Sequence, residues 1–219
     1  MKNLFSTSIG KKFAMAISAI FLMIFLLQHF IINITSVFSE EIFNMLSHFM
    51  GTNPLVQFIL QPILIAGVLF HFIMGFYLEI QNRKAAKYEY QKEKGSANST
   101  WMSRNMITSG LVILAFLVLH FIDFWVPEMN YKYIEFLPED PNRYYEELVH
   151  KFENPFRVAM YCISFVLLAL HLLHGFTSSL RSMGTNKSYV SSAKTAGIVY
   201  SIGIPLGFCV IAIFHYLNQ

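Results

Sequence analysis

The sequence predicts an all-α fold, an integral membrane bundle of five transmembrane helices forming one membrane domain over residues 1–219. Three observations predict it. Hydrophobic residues make up 55% of the chain and charged residues 13%. A soluble domain carries about 25% charged residues, so too little polar surface remains here to cover a water-soluble globule. Five stretches are long and apolar enough to cross a hydrocarbon core of about 30 Å, which needs about 20 helical residues. Their hydrophobicity is continuous rather than alternating. Where a backbone must satisfy its own hydrogen bonds in lipid, that pattern selects helix over barrel strand.

The spans are 13–35, 55–80, 105–126, 156–180 and 196–217. The first follows the basic start Met1–Lys12. Its apolar run exceeds a signal-peptide core and no small-residue cleavage site follows, so it reads as a retained helix. Spans two and five contain Pro62 and Pro205, which a bundle tolerates as kinks. Between spans three and four the connection Pro127–Pro155 is long for a bundle. It is expected to hold a short amphipathic helix over the outer surface, with Tyr131, Tyr133, Tyr144 and Tyr145 at the headgroup level. Cys162 and Cys209, in spans four and five, read as small apolar fillers, since neither a disulfide framework nor an electropositive thiol site surrounds them.

The loops predict orientation. Lys2, Lys11 and Lys12 precede span one; Arg83, Lys84, Lys87, Lys92, Lys94 and Arg104 follow span two; Arg181, Lys187 and Lys194 follow span four. The other long loop carries Glu128, Glu135, Glu139, Asp140, Glu146, Glu147 and Glu153 instead. The positive-inside rule then places the N-terminus in the cytoplasm and the C-terminus outside. The net charge of +3 arises in these loops and reflects topology control rather than nucleic acid.

An ionisable group at membrane depth is costly and calls for a partner. His29, His71, His120 and His171 each lie inside one of the first four spans, and span four adds His174. His29 is 17 residues beyond Lys12 and His120 is 16 beyond Arg104; His71 is 12 before Arg83 and His171 is 10 before Arg181. With a rise of 1.5 Å per residue, one pair sits roughly 25 Å from the cytoplasmic flank and the other roughly 15–18 Å. A single intramembrane histidine is more often a hydrogen-bonded core residue than a ligand. Four at paired depths on successive helices suit two stacked haems, because neutral imidazole ligates iron without placing a bare charge in lipid. Six-coordinate iron favours electron transfer. Gly75 and Gly175 each lie four residues after a histidine on the same face and would leave room for a flat macrocycle, although such spacing is also a general packing device. His48, His150 and His215 read as interfacial. Geometry does not choose between His171 and His174, which are one turn apart.

These features together resemble the dihaem cytochrome b subunit of succinate dehydrogenases and fumarate reductases, in its single-polypeptide, five-helix form. The marks are Ser8-Ile-Gly-Lys-Lys-Phe13, Leu27-Gln-His-Phe30, His71-Phe-Ile-Met-Gly75, Gln81-Asn-Arg-Lys84, Leu119-His-Phe-Ile-Asp-Phe-Trp125 and Leu170-His-Leu-Leu-His-Gly175, with Gly184 beyond. They cover essentially the whole chain. The resemblance implies two haem b groups, with His71 and His171 on the haem nearer the cytoplasm and His29 and His120 on the distal one. It ranks His171 above His174, since Gly175 and Gly184 stand at the spacing its fourth ligand shows. It implies a flavoprotein subunit carrying FAD, an iron–sulfur subunit, and a membrane quinone, menaquinone in this family form. It also implies a bacterial cytoplasmic membrane. This chain would carry electrons and anchor the complex, with no dicarboxylate chemistry of its own. A Glu that some fumarate reductases place two residues before the fourth ligand is Ala169 here, which puts their transmembrane proton path in doubt. An outer-side quinone site would draw on Glu40, Glu41, Asn44, His48 or Gln57, since quinone reduction needs a proton donor. The rival readings are the dihaem cytochrome b of a formate dehydrogenase or hydrogenase, and a cofactor-free transporter whose histidines relay protons.

Overall fold

A computed structural model of the chain describes residues 7–89 and 105–219. Of the basic segments, Lys2, Lys92, Lys94 and Arg104 lie outside the described residues. Among the described residues the structure is helical, with no strand. The elements are α1 (Ser8–Ile34), α2 (Glu40–Thr52), α3 (Gln61–Glu89), α4 (Met106–His120), α5 (Val126–Tyr133), α6 (Arg143–Phe152), α7 (Pro155–Ser182) and α8 (Lys187–Leu217).

Five helices are long and apolar enough to cross a membrane, over Ser8–Val37, Val56–Lys84, Met106–Tyr133, Pro155–Ser182 and Ser192–Leu217. This is a multi-pass membrane protein. Its exterior is apolar, with Ile24, Leu69, Ile73, Ile163 and Leu206 all more than half exposed, as a lipid-facing surface requires. From residue 61 to 84 no side chain is fully buried, so this stretch of α3 is open to its surroundings.

The spans pack in an up-and-down sense. Lys11 at the start of α1 donates to the Tyr77 hydroxyl of α3 at 2.7 Å, which sets those helices antiparallel. Met106 lies beside Gly175 and Phe116 beside Tyr161, so α4 and α7 are antiparallel too. α8 runs with α1, from Tyr200 donating to the Met23 carbonyl to His215 at Ser36. Two close approaches need glycine. A Cβ at Gly207 would overlap the Phe30 ring and one at Gly197 would overlap the Phe176 ring.

Local chemistry explains the ends. The Thr7 hydroxyl caps α1 by accepting from Gly10 N at 3.0 Å, and Ser39 caps α2 through Ile42 N at 3.2 Å. Asn154 caps α7, accepting from Phe156 N at 2.9 Å, with Pro155 at the first helical position. α7 ends at Gly184, whose φ of 78° is the left-handed conformation of a Schellman stop. Gly184 N donates to Arg181 O at 3.1 Å and Thr185 N to Leu180 O at 3.3 Å.

The structure extends the sequence reading at three places. Span three continues through Pro127 to Tyr133, because a π-helical turn at Phe121–Trp125 shifts the hydrogen-bond ladder and Pro127 falls at the start of the next helical segment. The amphipathic helix foreseen in the following connection is α6, which turns Leu148 and Phe152 into the core. α2 was not foreseen. It packs with α6 across the end of the bundle opposite the N-terminus, where Asn44 accepts from Tyr145 N at 2.8 Å and Phe43 meets the Tyr145 ring.

Candidate functional site

The intramembrane histidines meet in two pairs. At the level nearer the N-terminus, His71 of α3 faces His171 of α7, with ring centres 6.4 Å apart and planes at 66°. At the opposite level, His29 of α1 faces His120 of α4 at 5.8 Å and 87°. Among the described residues His174 makes no ring contact with another histidine.

The pair at the level nearer the N-terminus is framed by a repeated set of residues. Ser18 on α1 places its hydroxyl 3.1 Å from His71 Nδ1, and Ser109 on α4 places its own 3.2 Å from His171 Nδ1. Each hydroxyl also donates to the carbonyl three residues earlier, Met15 at 2.8 Å and Met106 at 2.9 Å. Those methionines fill the space beside the glycines. A Cβ on Gly75 would sit 3.5 Å from Met15 Cε and one on Gly175 3.7 Å from Met106 Cε. The hairpin α1–α3 and the pair α4–α7 thus present the same Met–Ser and His–Gly spacings to one another.

The pair at the opposite level sits among aromatic rings. His29 stacks on Phe25 at 5.6 Å and lies 5.7 Å from Phe208; His120 contacts Phe116, Phe124 and Tyr161. His120 Nδ1 is buried with no hydrogen-bond partner. Asn33, one turn along α1, donates to the His29 carbonyl at 2.8 Å and lies 3.3 Å from His29 Nδ1.

One turn beyond His120 the π-helical turn buries Asp123, 2% exposed. Its carboxylate accepts from Tyr161 Oη at 2.8 Å and pairs with Arg157, which satisfies a charge that would otherwise be costly at this depth. Periodicity does not reveal this group, because a single Asp in an apolar run says nothing of the Arg and Tyr that meet it from α7.

His215 corrects the sequence reading. Expected at the interface, it is 1% exposed, with Nε2 2.9 Å from the Ser36 hydroxyl and its ring 5.4 Å from Tyr145. The cap formed by α2 and α6 covers the end of α8 and closes it off from solvent. His150 is exposed and pairs with Glu153 at 3.2 Å.

Of the quinone-site candidates, Glu40 and Glu41 are exposed in the first turn of α2, where they suit the helix dipole. Asn44 is buried and engaged by Tyr145 N. His48 and Gln57 share a cavity of about 230 Å³ with Tyr131, Tyr133, Arg143 and Tyr144. His48 Nδ1 is buried without a partner there, and Gln57 accepts from Tyr133 Oη at 2.9 Å. One wall is an ionic cluster, with Arg143 pairing with Glu128 and Glu147 and lying over the Tyr131 and Tyr144 rings. Burial alone would lower the Arg143 guanidinium, but its hydrogen bonds to Glu128 and Glu147 outweigh this and hold it above its ordinary range. Burial, with Glu128 adding to it, pushes the Tyr144 phenol up to about 12.

The donor sets fit a b-type haem. Two imidazole nitrogens about 2 Å from one metal bring the ring centres roughly 6 Å apart, and both pairs stand near that separation. Among the described residues no three His, Cys, Asp or Glu side chains converge on a common point. Each set is two neutral imidazoles. His71 and His171 would hold one group, and His29 and His120 the other.

Fold and site together define a class: a five-span helical membrane protein with two half-buried histidine pairs at two levels. No protein family matches the chain, nor does any curated protein or solved structure.

Proposed function

We propose that this chain is a dihaem cytochrome b, the membrane anchor of a succinate:quinone oxidoreductase or fumarate reductase. The observation that carries the reading is the meeting of His71 with His171 and of His29 with His120, two imidazole pairs at two levels of one bundle. A haem held between such pairs would supply reversible one-electron transfer. The chain's own residues surround the outer pair with Phe25, Phe116, Phe124 and Phe208.

The proposal places the N-terminus in the cytoplasm, where an iron–sulfur subunit and a flavoprotein would dock near the inner pair. Lys11 and Arg83 stand at that end of the bundle, and the acidic segment around α6 stands at the other, as the positive-inside rule requires. Quinone would exchange electrons with the outer pair, and His48 with Gln57 supplies a polar cavity at that end. The membrane is a bacterial cytoplasmic membrane and the quinone menaquinone.

A reduced-minus-oxidised spectrum with haem quantitation on the complex purified from its own membranes tests the reading. Two haem b per chain, with a flavoprotein and an iron–sulfur protein copurifying, support it. A colourless protein overturns it. Haem accompanied by a molybdenum or nickel enzyme overturns the partner assignment alone.

A further inference from the structure

The two serines of the inner site decide more than packing. A hydroxyl has one proton and two lone pairs. In Ser18 the contact to the Met15 carbonyl is 2.8 Å and that to His71 Nδ1 is 3.1 Å; in Ser109 the same two contacts are 2.9 and 3.2 Å. The carbonyl is the closer acceptor in both and takes the proton. The serine oxygen is then left to accept, and the imidazole nitrogen that faces it must carry the hydrogen. A neutral ring protonated at Nδ1 has its free lone pair at Nε2. Ser18 is 7% exposed, so water competes weakly for its bonds, while Ser109 is half-buried. The outer site is built otherwise, since His120 Nδ1 has no hydrogen-bond partner and the polar neighbour of His29 is the Asn33 amide.

We infer that Ser18 and Ser109 are positioning residues that hold His71 and His171 in the Nδ1-protonated tautomer and raise the basicity of each Nε2. The inference rests on the dihaem reading and assigns its inner site a pair of partners that the outer site lacks. A hydrogen bond from the distal ring nitrogen orients a metal-bound imidazole and strengthens its donation. Stronger donation favours the oxidised metal. Ser18 and Ser109 therefore hold the midpoint potential of the inner haem below the value it would have without them.

The test is an optically monitored redox titration of the purified complex carrying S18A, S109A or both, with S18T and S109T as rescues and S179A as control. Ser179 donates to the Gly175 carbonyl at 2.8 Å and serves here as a back-bonding serine outside the ligand set. The inner haem is identified as the one lost in H71A. Its midpoint shifts upward in each alanine variant and further in the double variant, while the other midpoint stays. Its retention in detergent weakens about 10- to 100-fold, the usual cost of removing such a partner. Threonine, which makes the same back-bond in a helix, restores both. Should an alanine variant not accumulate, S18C and S109C carry a weak acceptor and shift the midpoint the same way. Unchanged inner midpoints in every Ala and Cys variant overturn the inference while leaving the dihaem reading intact, and so does an equal shift in S179A. A wild-type complex without haem overturns the dihaem reading, and the inference with it.

Discussion

The rings of His29 and His120 stand 5.8 Å apart, centre to centre, and almost perpendicular. They come from helices that are not consecutive spans, and so do His71 and His171. The bundle therefore fixes which histidines face each other.

His29→Ala and His120→Ala are expected to remove the same haem, and His71→Ala and His171→Ala the other. His174→Ala is expected to remove neither, since its ring meets no second imidazole. Haem quantitation with the difference spectrum of each variant checks this. Loss of a haem in His174→Ala would reassign the fourth ligand.

Asp123 is expected to be structural. Asp123→Ala leaves Tyr161 Oη buried without its acceptor and breaks the pair with Arg157, which costs about 3 kcal/mol. Tyr161→Phe removes one hydrogen bond to the same carboxylate and costs about 1–2 kcal/mol. Unfolding in detergent mixtures of rising SDS content measures both.

His215→Ala and Ser36→Ala are expected to loosen the cap at the far end of the bundle without loss of haem. Each deletes one side of a buried hydrogen bond, a loss of about 1–3 kcal/mol. Thermal denaturation followed beside the haem spectrum separates the two effects, because the pairs at His29–His120 and His71–His171 do not include these residues.

Tyr144 makes the cap sensitive to alkali. Its folded-state value is raised from 10.0 to about 12, so between about pH 10 and pH 12 the unfolded chain has released this proton and the folded chain has not. Stability is complete below pH 10 and falls as pH rises through that window. Tyr144→Phe is expected to flatten the fall. Tyrosinate absorbance and thermal stability across the range give the measurement.

Gly207→Ala is expected to push α8 away from α1, since its methyl would overlap the Phe30 ring. Overpacking of this kind costs about 1–3 kcal/mol, and the same denaturation assay reads it. Phe30→Leu is expected to restore part of the loss.

Hydropathy read along the chain sufficed for the number of spans, their approximate limits and the relative depths of the four histidines, because a sum over about 20 residues depends on no distant neighbour. Depth alone already grouped His29 with His120 and His71 with His171. Every contact made across helices came instead from the packing of the bundle. Ser18 meets His71 from 53 residues away, Ser109 meets His171 from 62, and Ser36 meets His215 from 179. The π-helical turn that buries Asp123, and the α2–α6 cap that turns His215 from an interfacial residue into a buried one, arise from packing that a one-dimensional pattern does not encode. A polar side chain in lipid must find a partner, but only the folded bundle says which partner it finds.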